Sequence, residues 1–69
     1  MTTDYHLILA SDVSTRNGIG LELTRDDNEE RVAEVFSDDT TGLRTFTAFE
    51  EGIPVEAIEW LLERARDQL

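Results

Sequence analysis

Residues 54–69 read PVEAIEWLLERARDQL, and this stretch carries the clearest periodic pattern in the chain. Pro54 suits the first helical position, and Glu56 places negative charge in the first turn, where it opposes the helix dipole. At about 100° per residue, apolar and charged side chains fall on opposite arcs. The pattern predicts an amphipathic C-terminal helix over 54–69. Its apolar arc consists of Val55, Ile58, Leu61, Leu62, Ala65 and Leu69.

The residues before this helix form four runs with alternating or β-branched and aromatic side chains, which predict strands. Asn17-Gly18 is a turn pair suited to positive φ, and the segments 25–30 and 38–42 are polar turn sequences. We therefore predict two antiparallel hairpins that precede the helix. The predicted strands cover residues 5–13, 18–24, 31–37 and 43–49.

The third strand, 31–37, has two alternative inward faces. Either Val32 and Phe36 point to the core or Ala33 and Val35 do, and alternation alone does not choose between them. A single helix covers only one face of a four-stranded sheet. We therefore expect a second, partly apolar surface on the uncovered face.

Length and composition indicate one small domain, 1–69. A chain of 69 residues has one thin core, which buries about 60% of the unfolded surface. The sequence contains no cysteine, which removes disulfides, thiol nucleophiles and zinc–thiolate sites. The predicted fold class is α+β, with a four-stranded antiparallel sheet and one C-terminal helix packed on one face.

The chain is strongly acidic, with 16 acidic residues against six arginines and a formal net charge of −10. This charge repels phosphate backbones and anionic lipids, so nucleic acid is a disfavoured ligand. Acidity without lysine also arises from salt adaptation or genome composition. No segment has the length and apolarity of a membrane span or a signal sequence. We expect a protein of the cytoplasm that does not bind membranes.

The sequence offers little for catalysis, because His6 is the sole histidine and no motif brings a base to a nucleophile. Asp26 and Asp27 lie in a predicted loop, without the apolar pocket that acid–base work requires. The run 26–30 supplies oxygen ligands but lacks the alternation and the glycine of a calcium loop. We expect no enzymatic activity, no cofactor and no bound metal.

Trp60 is the sharpest candidate for a binding residue. It lies about 150° from the centre of the predicted apolar arc, on the charged side of the helix. An exposed tryptophan is typical of a docking point. The alternatives are that Arg64 stacks on the indole, that the loop 50–53 folds back over it, or that it packs across a homodimer axis. Its predicted neighbours in a partner-binding site are Glu56, Glu63, Arg64 and Asp67.

A second candidate surface combines Arg31, Arg44, Phe36 and Phe46, the residue mixture of a surface that stacks single-stranded nucleic acid. The order of four strands and one helix also resembles, in topology, the small single-strand-binding coactivator and Whirly-type domains. No family motif accompanies this resemblance, and topology by itself does not fix function.

These observations favour a non-enzymatic module that binds a protein partner. A sharper version is an inhibitor or neutralising protein, of the immunity or anti-defence kind, whose carboxylates imitate nucleic acid in a basic groove. Two alternatives remain open, a single-stranded nucleic-acid-binding domain and a homodimeric structural protein.

Overall fold

The computed structural model describes residues 4–12 and 17–69. Four strands form one antiparallel sheet in the order β1-β2-β3-β4, and a helix follows them. This architecture confirms the predicted α+β fold, and the sheet is a simple meander. The last residue of the predicted first strand, Val13, lies outside the described residues. The elements are β1 (Tyr5–Asp12), β2 (Gly18–Arg25), β3 (Arg31–Asp38), β4 (Arg44–Ala48) and α1 (Val55–Gln68).

The core lies between α1 and one face of the sheet. Leu21 and Leu23 of β2 are fully or almost fully buried there, and Leu61 of α1 is fully buried against the sheet. Each fully buried leucine contributes roughly 1.5–3 kcal/mol through the removal of apolar surface from water. The remaining buried members of this core are Tyr5, Val32, Ala33, Val35, Ala57 and Ala65.

A register shift in β3 settles which of its residues face inward. Leu23 pairs with Ala33, whereas the next residue, Thr24, pairs with Arg31. Val32 is therefore the extra residue of a β-bulge, a feature that lets two successive side chains serve one face. Both Val32 and Ala33 are completely buried in the core. Of the two alternatives, the one with Ala33 and Val35 inward is correct, and Val32 joins them.

The helix presents a different arc to the sheet than its apolar pattern predicts. Val55 is 70% exposed and Leu62 is 43% exposed, so the prediction that both face the core is wrong. Ala65 lies in the core as predicted, and Ala57, which the predicted arc leaves out, lies there too, on the other side of Leu61. Small side chains at these positions let the helix backbone approach the sheet closely, which dense packing favours. The buried arc is thereby rotated toward Trp60.

Gly18 begins β2, as predicted for the strand 18–24, but it does not adopt the positive φ expected of the Asn17-Gly18 turn pair. The described glycines with positive φ are Gly42 and Gly52. A Cβ atom on Gly18 would lie 2.0 Å from the Ser37 carbonyl oxygen, so close strand packing requires the glycine. The other part of that predicted turn, 14–16, lies outside the described residues.

The uncovered face of the sheet is not open apolar surface throughout. A Cβ on Gly20 would lie 2.5 Å from Glu34 Oε2, and one on Gly18 would lie 2.8 Å from Phe36 Cζ. The side chains of Glu34 and Phe36 thus lie across the two glycines of β2, and both residues are buried. The glycines create a trough that accommodates these side chains.

The β3–β4 turn follows its sequence prediction. The Asp38 carboxylate accepts hydrogen bonds from the backbone N–H groups of Thr40 and Thr41, and Gly42 adopts a φ of 76°. These bonds satisfy turn amides, and the glycine takes the left-handed conformation without a side-chain clash. No helix within the described ranges is long and apolar enough to cross a membrane.

Candidate functional site

One side of α1 forms an acidic pocket around the single tryptophan. We call this surface the Trp60 flank, defined by Trp60, Glu56, Glu59 and Glu63, which line a shallow surface pocket of about 240 Å³. The three glutamates are exposed, while Trp60 is half-buried and packs against the core. The glutamates at 56, 59 and 63 are spaced three and four residues apart, which places them on one face of a helix.

The structure therefore brings together three of the five residues predicted for partner binding: Trp60, Glu56 and Glu63. Arg64 and Asp67 are exposed on the helix but do not line the pocket. Sequence reasoning did not place Glu59 in the site, although its three- and four-residue spacing to the other glutamates was the available signal. Trp60 is also less exposed than predicted, because the buried arc of α1 is rotated toward it.

No arginine neutralises the Trp60 flank within the described part of the chain. Cation–π contacts there join Arg25 to the Tyr5 ring, at 5.8 Å, and Arg31 to the Phe49 ring, at 4.5 Å. Arg64 makes neither a cation–π contact with Trp60 nor an ion pair among residues 4–12 and 17–69. The pocket consequently combines an aromatic wall with uncompensated negative charge, which suits a cationic group.

The opposite side of α1 has the reverse character. We call it the Leu62 flank, a groove of about 200 Å³ between α1 and β4. Leu62 and Phe46 provide exposed apolar surface, and the charged residues of the lining are both basic, Arg44 and Arg66. The remaining lining residues are Val35, Thr45 and Ala65.

The four residues of the alternative nucleic-acid surface are divided between the two faces of the sheet. Phe46 pairs with Val35, a residue of the helix-side core, and Arg44 lies two residues away on the same face. Arg31 and Phe36 belong to the uncovered face instead. A continuous stacking surface would need all four on one face.

Phe36 and Arg31, which lie on the uncovered face, are already packed against or paired with other side chains of the chain. Phe36 is only 4% exposed, which leaves no free ring face for a base. Arg31 is 3.1 Å from Glu22 Oε2, 3.9 Å from Glu34 Oε2 and stacked over Phe49. Its charge is thereby balanced by neighbouring carboxylates.

A third pocket, of about 220 Å³, lies where the helix begins and is lined in part by Tyr5, Arg25 and Asp26. Arg25 forms an ion pair with Glu50, and this hydrogen bond raises the pKa of Arg25 above its ordinary value. Asp26 accepts a hydrogen bond at 2.5 Å from Nδ1 of His6. These charged groups hold the β2–β3 loop against β1 and the segment before α1, so a structural role accounts for them.

The acidic loop considered for calcium is a locally bonded turn. The Glu30 N–H donates to Asn28 Oδ1, and Glu29 takes a left-handed φ of 60°. Among the side chains of residues 4–11 and 17–69, no group of three or more His, Cys, Asp or Glu residues is placed to hold a metal ion. The geometry of this loop follows from turn formation.

Comparison with known proteins gives no family for this chain. No protein-family model matches it, and neither a curated protein nor a solved structure is detectably similar.

Proposed function

We propose that the chain is a non-enzymatic protein-interaction module, whose Trp60 flank receives a cationic side chain of a protein partner. One observation carries the proposal: the half-buried indole is surrounded in its pocket by three glutamates and by no basic residue. Structural packing of Trp60 accounts for the buried part of its ring. It does not account for carboxylates at 56, 59 and 63 around the exposed part.

The chemistry of this flank selects a guanidinium or ammonium group. An indole face attracts a cation by about 0.5–2 kcal/mol, depending on how far the pair is removed from water. Neighbouring carboxylates accept charge-assisted hydrogen bonds from the same cation. An arginine side chain satisfies both demands, because its planar guanidinium stacks on an aromatic ring while its edges donate to carboxylates.

The net charge of −10 supports a basic partner as well. An acidic chain is steered toward a positively charged surface, which raises the association rate at low salt. A basic nucleic-acid-binding groove on a nuclease or regulator is such a surface. The proposal therefore includes an inhibitory or neutralising role, in which this chain occupies the groove in the cytoplasm without a cofactor.

The test compares the proteins retained from a cell lysate by immobilised wild type, Trp60→Ala and Phe49→Ala. Phe49 is an exposed aromatic residue on the other side of the sheet, so its removal leaves the net charge and the pocket unchanged. We expect a basic protein that wild type and Phe49→Ala retain and that Trp60→Ala loses. Calorimetry on that purified protein should then show affinity loss for Glu59→Gln and Glu63→Gln.

Retention of the same set of proteins by Trp60→Ala would reject the Trp60 flank as the binding surface. Specific retention of labelled single-stranded oligonucleotides by the wild-type chain at low salt would support the nucleic-acid alternative instead.

A further inference from the structure

The second surface that calls for an explanation is the free edge of β4. This strand is the last in the sheet order, and all five of its residues are exposed. The helix packs mainly on β2 and β3, so it leaves β4 beyond its cover. An exposed edge strand is a template for pairing with another chain, unless charge, proline or a bulge blocks it. Within Arg44–Ala48 the sequence RTFTA has no proline, and its one charged residue is Arg44 at the start of the strand.

The hydrogen-bond pattern shows which backbone groups of β4 face outward. The Asp38 N–H donates to the Leu43 carbonyl, and the Phe49 N–H donates to the Val32 carbonyl, so residues 43 and 49 face β3. Because this direction alternates along an antiparallel strand, residues 45 and 47 face β3 too. The N–H and C=O groups of Arg44, Phe46 and Ala48 therefore face the open edge.

The side chains of two of these outward-facing residues, Arg44 and Phe46, line the Leu62 flank. Phe46 is 46% exposed beside Leu62, and Arg44 lies near Arg66 in the groove. Among residues 4–12 and 17–69, neither arginine takes part in an ion pair. The chain has 16 acidic residues. Two arginines without an ion-pair partner in the described part of the chain, beside an apolar groove, therefore make this part of the surface positively charged, in contrast to the net negative charge of the chain.

We propose that the Leu62 flank binds an acidic, extended segment of a partner protein, which adds to β4 as a fifth antiparallel strand. In strand addition, main-chain hydrogen bonds provide affinity and pockets for alternate side chains provide specificity. In this register an apolar side chain of the segment lies opposite Phe46. The residue two positions later then lies opposite Arg44, on the same face, where its carboxylate meets Arg44 and Arg66. This inference is independent of the Trp60 flank.

Charge complementarity favours this occupant over a second copy of the chain. A symmetric β4–β4 pair centred on Phe46 would place Arg44 opposite Ala48 of the other copy, and neither arginine would gain a carboxylate in the added strand. Repulsion of an acidic segment by the whole chain acts at long range, and physiological salt screens charges separated by more than about 8 Å. The contacts in the groove are shorter than that distance.

The test measures binding of the capped, fluorescein-labelled peptide TTLTETT by anisotropy, at physiological salt. The matched charge variants are Arg44→Glu, Arg66→Glu and, as control, Arg64→Glu, an exposed helix arginine that does not line the groove. We expect about a ten-fold loss of affinity for each of the first two and less than about a two-fold change for the control. The peptide TTLTQTT should bind about ten-fold more weakly to wild type.

Ala48→Pro tests the backbone part, because it removes an outward N–H that the β3–β4 ladder does not use. The Ala48→Pro variant should show the circular dichroism spectrum of the wild type but no peptide binding. Trp60→Ala should still bind the peptide. If Ala48→Pro does not fold, the arginine variants still decide the question.

Several results would overturn the inference. One is failure of wild type to bind TTLTETT, and another is an equal loss of affinity in all three arginine variants. A third is displacement of the peptide by equimolar decanoate, which would indicate a site for small carboxylates. A wild-type dimer in sedimentation equilibrium that Ala48→Pro converts to monomer would assign the edge to a second copy.

Discussion

The two flanks of α1 differ in charge and in their relation to the core. On the Trp60 flank, the large aromatic residue is anchored in the core and surrounded by carboxylates. On the Leu62 flank, Leu62 and Phe46 are exposed and the charged lining residues are arginines. Both flanks belong to a helix of 14 residues. A single amphipathic helix can thus present two chemically opposite surfaces, one on each side of its buried line.

The buried helix residues Ala57, Leu61 and Ala65 lie between the two flanks. Truncation of the largest of them, Leu61, is the change for which we predict the largest effect. Leu61→Ala should lower the free energy of unfolding by roughly 3 kcal/mol, since the residue is 0% exposed and its removal leaves a cavity. Leu62→Ala, the neighbouring and chemically identical change, should cost under about 1 kcal/mol. Urea unfolding followed by circular dichroism measures both. Equal costs would mean that the helix is rotated relative to the sheet.

An intermediate effect would sharpen the contrast between the flanks. Trp60→Ala should destabilise the fold by about 1–2 kcal/mol, because part of the indole packs against the core and part remains exposed. Val55→Ala, at a residue that is 70% exposed, serves as the control, with an expected change within about 0.5 kcal/mol. The same urea titration reports both values. A cost near zero for Trp60→Ala would show an indole detached from the core.

The smallest effect concerns the local charge around Trp60. Relative to their quenching of free N-acetyltryptophanamide, caesium should quench Trp60 fluorescence more effectively than iodide, because the neighbouring carboxylates attract cations and repel anions. The double change of Glu59→Lys and Glu63→Lys should reverse the preference, while Arg66→Glu on the other flank should preserve it. Quenching that is weak for both ions and strengthens on dilution would instead indicate a homodimer that covers the indole.

Most of the fold follows from short-range patterns. Alternation, turn residues and the helical period suffice for four strands and a helix because each is a local property. The bulge at Val32 does not follow, since it depends on how β3 aligns with β2. Gly18 illustrates the same limit. The Asn-Gly pair favours a positive φ locally, whereas the structure needs Gly18 for the close approach of β3 to the start of β2.

The candidate sites show a similar division. Hydrophobicity alone assigns Val55 and Leu62 to the core, yet close packing on the sheet leaves both exposed and buries Ala57. This rotation of the helix toward Trp60 explains why the indole is more buried than its position opposite the predicted apolar arc indicates. The groove of the Leu62 flank joins Arg44 to Arg66, which are distant in sequence. Their proximity depends on how the helix crosses the sheet, which no local pattern specifies.

The uncovered edge of β4 has a further consequence for the protein in concentrated solution. An unpaired strand edge is a seam along which identical molecules can join into larger assemblies. The mutual repulsion of chains that each carry a formal charge of −10 opposes such joining. This colloidal barrier vanishes as the solution is acidified toward the isoelectric point, near pH 4.2. The acidity of the chain therefore acts against association along the edge of β4.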